Sequence, residues 1–336
     1  MKNKILYTTA AFSVIIAAVA LNVTMPDTAD AQDTTTAAVG RVDTSAAVQA
    51  AHWSDNVTIT IDADANTFGF ESNGMPSHGF AEKYLIPTDP SDQPFADKTA
   101  DFFNVEESAT YFKETPVDTT ITTLPAYTKE VTETSLGRIG VAITGAQIFN
   151  DYENFERTVV AQNDQVIHDH VAFLDECNGH TLVSGTDYHY HGIPVCITDT
   201  LDSADEHSVM IGVLEDGFPV YGNHGQGGAI ITNDDLDACS GHVDVTPEFP
   251  DGIYHYHLTA DEAPYMIDCY HGEVEVAANM GGGGPDFAAI AEELGVEEAA
   301  LRDALGDTMP PDFDAAAQSL GIDSDALRIA MPGPGQ

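Results

Sequence analysis

"LDECNGHTLVSGTDYHYH" (Leu174–His191) and "LDACSGHVDVTPEFPDGIYHYH" (Leu236–His257) are one pattern written twice. Each reads Leu-Asp-x-Cys-x-Gly-His, a loop, then Tyr-His-Tyr-His. The second loop is four residues longer, and a further cysteine follows each copy, at Cys196 and Cys269. A repeat of this extent marks two structurally equivalent units. The alternation within Tyr-His-Tyr-His is that of a β-strand, whose residues i and i+2 share a face. His189 and His191 then point one way and Tyr188 and Tyr190 the other, and His255 and His257 stand against Tyr254 and Tyr256 in the same manner.

The sequence around the repeat is also β-like. "NVTITI" (56–61), "NTFGF" (66–70), "RIGVAITG" (138–145) and "VMIGVLEDGFPVYG" (209–222) are short β-branched or apolar runs broken by turn residues. Asp216-Gly217 between two apolar runs is a hairpin signature. Helical periodicity is nearly absent from 52 to 277. The expectation is a mainly β domain over 52–277, a β-sandwich or distorted barrel built around the duplicated Cys…YHYH…Cys unit. A glycine-rich linker follows at 278–285. Beyond it, "PDFAAIAEELGVEEAALRDALG" and "PDFDAAAQSLGIDSDALRIAMPG" align at an offset of 26 residues. They predict a small helical repeat region over 286–332, two helix pairs with Asp286 and Asp312 as N-caps and Gly295 and Gly321 as stops.

Eleven Lys+Arg stand against 55 Asp+Glu among 336 residues, a formal net charge of −44. That charge repels nucleic acid and anionic membranes and fits a protein kept soluble in salty or cation-rich water. The N-terminus pairs Lys2 and Lys4 with "TAAFSVIIAAVAL", too short to span a bilayer, and Ala29-Asp30-Ala31 precedes Gln32 as a cleavage signal. Residues 1–31 read as a signal peptide and 32–51, rich in Thr, Ala and Asp, as a flexible leader. The mature protein is expected in the periplasm or outside the cell, with no membrane insertion. In an oxidising compartment Cys177, Cys196, Cys239 and Cys269 can pair in three ways, and proximity favours Cys177–Cys196 with Cys239–Cys269.

Eleven of the 13 histidines fall between residues 168 and 271. Imidazoles without thiolates suit copper or zinc before iron or manganese. Two His-x-His strands brought together would set His189, His191, His255 and His257 around one ion, with His180, His242, His78 and His207 as further candidate ligands. The structural alternative is that these histidines and tyrosines knit the two halves by hydrogen bonds and bind nothing. His168-Asp169-His170 has no counterpart in the second unit and reads as structural. Asp175 and Asp237 read as turn or cap formers. No phosphate loop, Gly-x-Ser-x-Gly elbow or redox Cys-x-x-Cys is present.

At these residues the chain resembles the YHYH domain family of secreted microbial proteins. "SNGMPSH" (72–78), "GVAITGAQIFN" (140–150), "HSVMIGVLEDGFPVYG" (207–222) and "PYMIDCYHG" (264–272) are similar to further ordered motifs of that family. Ser77 stands where the family usually has an acidic residue. The resemblance brings out His78, His180, His207, His242 and His271 as recurrent positions, and it implies no particular reaction. Three functions fit the residues. One is an exported metal-binding protein. Another is a metalloenzyme, an oxidoreductase or hydrolase, with an open coordination position and His180 or His242 as general base. The last is a glycan-, surface- or protein-binding module that exposes its Tyr/His strands as a platform.

Overall fold

The computed structural model describes residues 40–274, apart from 80–81, 90–93, 155–156, 165–166, 169–170, 173 and 183, together with 287–305 and 313–330. The expected signal peptide, most of the expected leader and the glycine-rich segment 278–285 lie outside the described residues, as do Asp169, His170, Asp286 and Asp312.

The chain is mainly β, and its largest element is an eight-stranded sheet. Numbered among themselves, its strands are β1 (Arg138–Ala142), β2 (Gln147–Phe149), β3 (Gly179–His180), β4 (His189–Tyr190), β5 (Met210–Leu214), β6 (Pro219–Tyr221), β7 (Gly241–Asp244) and β8 (Ile253–His257). Their order across the sheet is β3-β4-β2-β1-β5-β6-β8-β7. Read outward from the centre, each half runs hairpin, parallel YHYH strand, antiparallel edge strand. β4 pairs parallel with β2, setting Tyr190 opposite Ile148, and β8 pairs parallel with β6, setting Tyr256 opposite Val220. The halves meet where β1 and β5 run antiparallel, with Val141 opposite Val213. The repeat read in the sequence is thus a structural duplication about the β1–β5 seam.

The sheets are open, so of the two expected arrangements the barrel does not form. Among the described residues three smaller sheets accompany the large one. The three-stranded sheet Val57–Asp62, Thr67–Ser72 and Val117–Thr122 buries Phe68, Phe70 and Ile121 against Val141, Met210, Val213 and Tyr221. Part of the segment read as a flexible leader, 32–51, falls within the described residues. Ser45–Ala50 is a helix whose Val48 is 1% exposed and sits among the same core residues, because Ala47 and Val48 fall together on its buried face.

Both disulfides form as proximity favours, Cys177–Cys196 and Cys239–Cys269. Each ties a Leu-Asp-x-Cys turn to the segment that follows its YHYH strand. The described residues of the C-terminal region hold four helices, Phe287–Leu294, Glu298–Leu305, Phe313–Leu320 and Ser324–Ala330, which bury a core of their own around Leu301, Ala316 and Leu327. Gly295 and Gly321 take positive φ, and the following amides of Val296 and Ile322 bond back to Ala291 and Ala317, the bonds that close a helix at a left-handed glycine.

Candidate metal centres

Register decides what the histidines do. In the first unit β3 pairs with β4 so that His180 lies opposite His189. In the second, β7 pairs with β8 so that His242 lies opposite His255. Directly opposed residues share a face, and His191 and His257 are two residues along on that same face. A triangle of imidazoles results in each half. Ring centroids of His180–His189, His180–His191 and His189–His191 stand 4.6, 5.2 and 4.8 Å apart. The equivalent separations for His242, His255 and His257 are 4.7, 5.0 and 4.9 Å.

The turn that precedes each triangle is built from the other motif residues. Asp175 accepts the amides of Cys177 and Gly179 at 2.8 and 3.0 Å, and Asp237 accepts those of Cys239 and Gly241 at 2.8 and 3.1 Å. These aspartates are turn formers, as their position after leucine indicates. Their second oxygens accept Tyr188 Oη at 2.6 Å and Tyr254 Oη at 3.0 Å. Each tyrosine ring crosses the face of a glycine. A Cβ on Gly179 or Gly241 would collide with the phenol of Tyr188 or Tyr254, so Cys-x-Gly-His admits no side chain at its third position. The remaining tyrosines are buried and bonded too, Tyr190 to Thr144 at 3.0 Å and Tyr256 to Asp216 at 2.6 Å. All four pack in the main core, and burial drives their phenols far above the usual tyrosine range.

The two YHYH strands do not share one site. β4 and β8 are second and seventh in the sheet, with β2, β1, β5 and β6 between them. At about 4.8 Å per strand this is about 24 Å, so four histidines converging on a single ion is excluded. Two clusters form instead. His180, His189 and His191 make one, at 3, 2 and 1% exposure. His255 and His257, each fully buried, make the other with His207, which comes from the segment ahead of β5.

Hydrogen bonds fix the state of these rings. Nδ1 of His189 bonds the Asp187 carbonyl at 2.6 Å and that of His191 the Asn150 carbonyl at 2.6 Å. Nδ1 of His255 bonds the Ile253 carbonyl at 3.0 Å, that of His257 the Gly222 carbonyl at 2.5 Å and that of His207 the Ser208 carbonyl at 2.8 Å. A carbonyl only accepts, so each Nδ1 carries a hydrogen, and in its neutral form each ring turns a bare Nε2 lone pair inward. His255 Nε2 lies 3.0 Å from His257 Nε2 and 3.2 Å from His242 Nε2. His207 Nε2 is buried with no hydrogen-bond partner. Burial pushes His191 down to about 4 and His257 to about 3, puts His189 and His255 well below the usual imidazole range, and lowers His242 as well.

One residue of the first cluster carries no signal in the sequence. Glu153, in the loop after β2, places Oε1 3.1 Å from His180 Nε2 and 3.3 Å from His191 Nε2. Its side chain is 12% exposed. Burial alone would raise its pKa, but the neighbouring His180 and His191 outweigh that and lower it to about 2. Among 55 acidic residues nothing in the local sequence singles it out.

Other candidates fall outside the clusters. His78 is half-buried, with Nε2 2.5 Å from Tyr190 Oη and Nδ1 2.7 Å from the Gly79 carbonyl. His271 faces Asp237 Oδ2 at 3.4 Å. Each lies beside a disulfide, whose sulfurs are not thiolates and offer no strong ligand. His168 lies in the two-residue strand Ile167–His168, away from both clusters in sequence and sheet. His180 and His242, considered above as general bases, are corners of the triangles.

The family model for the YHYH protein matches residues 118–233 and 226–272. Residues 118–272 form a YHYH-family domain. The matched region contains the whole eight-stranded sheet, both disulfides and all seven clustered histidines, while "SNGMPSH" (72–78) lies ahead of it. No curated protein and no solved structure matches the chain. No helix among the described residues is long and apolar enough to cross a membrane.

Proposed function

We propose that this YHYH protein is an exported transition-metal-binding protein with two centres, one in each half of the duplicated domain, for copper or zinc. The observation that supports it most strongly is the tautomer lock. Five buried histidines donate Nδ1–H to backbone carbonyls, the outer-shell arrangement that orients metal-bound imidazoles. Lone pairs 3.0 Å apart, as at His255 and His257, repel unless a proton or a metal ion lies between them. Burial disfavours the proton, since it would create a buried imidazolium. Donors about 2.0–2.1 Å from a four-coordinate ion stand about 2.9–3.4 Å from one another, and the 3.0–3.3 Å separations in both clusters fall in that range. Burial of the histidines counts against an exposed Tyr/His platform. The two disulfides agree with folding in an oxidising compartment.

Elemental analysis of chelator-free protein offered zinc or copper tests this reading. Two ions per chain are expected. The double variant His189→Ala/His191→Ala should lose one and His255→Ala/His257→Ala the other, with far-ultraviolet circular dichroism reporting the fold. A folded wild-type protein that takes up neither metal overturns it.

A further inference from the structure

The two centres are duplicated in three ligands and differ in the fourth. His180, His189 and His191 map onto His242, His255 and His257 through the repeat. Glu153 and His207 have no such relation: Glu153 lies after the β1–β2 hairpin, whereas His207 lies before β5. Duplication therefore supplies the triangles, and each half completes its own from a different direction, one with a carboxylate and one with an imidazole.

That difference sets the charge of a buried site. Three neutral imidazoles and Glu153 with a divalent ion sum to +1. Four neutral imidazoles, His207, His242, His255 and His257, with a divalent ion sum to +2, but with a monovalent ion to +1. Burying net charge is costly, and the cost climbs steeply with its magnitude. Asp235 and Asp244 act on His242 from outside, yet Asp235 is exposed and Asp244 half-buried, so water screens them. The carboxylate also hardens the first centre, and an all-nitrogen set is the softer of the two.

Resting on the reading of both clusters as metal centres, we propose that the centres are selective for different ions. The Glu153 centre holds a divalent ion of the zinc class, and the all-imidazole centre holds copper as Cu⁺. One chain thus carries two metals sorted by a single ligand.

The test uses the full mature chain with its disulfides closed. Metal-free protein is incubated anaerobically with equal Zn²⁺ and Cu⁺, the copper supplied as its acetonitrile complex and no thiol present, then desalted for elemental analysis. One zinc and one copper per chain are expected. His255→Ala/His257→Ala should keep zinc and lose copper, and His189→Ala/His191→Ala the reverse. Glu153→Gln, which preserves shape and removes the charge, should weaken zinc binding at least tenfold and leave the copper of the second centre in place. His207→Glu should bring zinc into the second centre. Two ions per chain with both metals shared equally between the centres would overturn the selectivity and leave the metal-binding reading intact. So would a Glu153→Gln protein whose zinc affinity is unchanged. Uptake of neither metal by folded wild type would defeat both.

Discussion

Gly179 and Gly241 occupy the third position of Cys-x-Gly-His, where each lies against the tyrosine that opens a YHYH strand. Gly179→Ala and Gly241→Ala should each cost about 1–3 kcal/mol, the usual penalty for forcing extra volume into a packed interior, seen as a lower urea midpoint at unchanged m-value. The clustered histidines make a separate prediction for metal-free protein. The folded pKa values of His189, His191, His242, His255 and His257 lie below the unfolded value near 6.5, so the unfolded chain binds more protons in acid. Stability is therefore fully present above about pH 6.5 and is lost as pH falls toward about 4 for His191 and about 3 for His257. The slope is about 1.4 kcal/mol per pH unit for each such group. Asp151 and Asp216, which burial raises to about 7 and about 6, act in the opposite sense. Comparison of His257→Gln with wild type isolates one histidine, and the variant should show the shallower decline between pH 6.5 and 4 in urea titrations. At this scale the sequence was highly legible, because His-x-His on a strand fixes which side chains face together. Glu153 was not, since a ligand donated by a loop is recognisable only after the chain has closed around it.

Each disulfide is a strap on one element pair. Cys177 and Cys239 close the turn that delivers His180 or His242, and their partners Cys196 and Cys269 follow the YHYH strands. Cys177→Ser/Cys196→Ser and Cys239→Ser/Cys269→Ser should each lower unfolding free energy by about 3 kcal/mol. Each should also weaken metal binding at the centre in its own half with little effect on the other, which metal titration of the two variants would reveal. Strand identity and hairpins were legible in the local alternation and the Asp-Gly turn. Sheet order was not. The sequence showed that two units were equivalent, but two equivalent units can meet through their YHYH strands or through their hairpins, and both burial patterns satisfy the same alternation. The β1–β5 seam chose the second, which carried the two histidine triangles apart rather than together. The helix Ser45–Ala50 was missed because six residues, only two of which are buried, give too little periodicity to stand out from the Thr/Ala/Asp-rich segment around them.

Over the whole molecule, the helical repeats bury a core separate from that of the β domain. A chain ending at residue 277 should keep the metal stoichiometry of the full protein by elemental analysis. The charge of −44 makes a second prediction. Self-repulsion is screened within about 3 Å in 1 M salt, so the melting temperature should rise between 0.05 and 1 M sodium chloride. Calorimetry would check this, and a flat or falling trend would count against repulsion as a cost to the fold.

The seam between β1 and β5 has a consequence for how the halves are held. A solitary half would leave the edge of its first hairpin bare, and its natural complement would be the matching edge of a twin running the opposite way. As separate chains, such twins would part on dilution, and the strength of the pairing would follow protein concentration. Carried on one polypeptide, the second edge is always at hand, at a local concentration set by the connecting chain. The sheet that spaces the two clusters is thereby independent of how much protein is present.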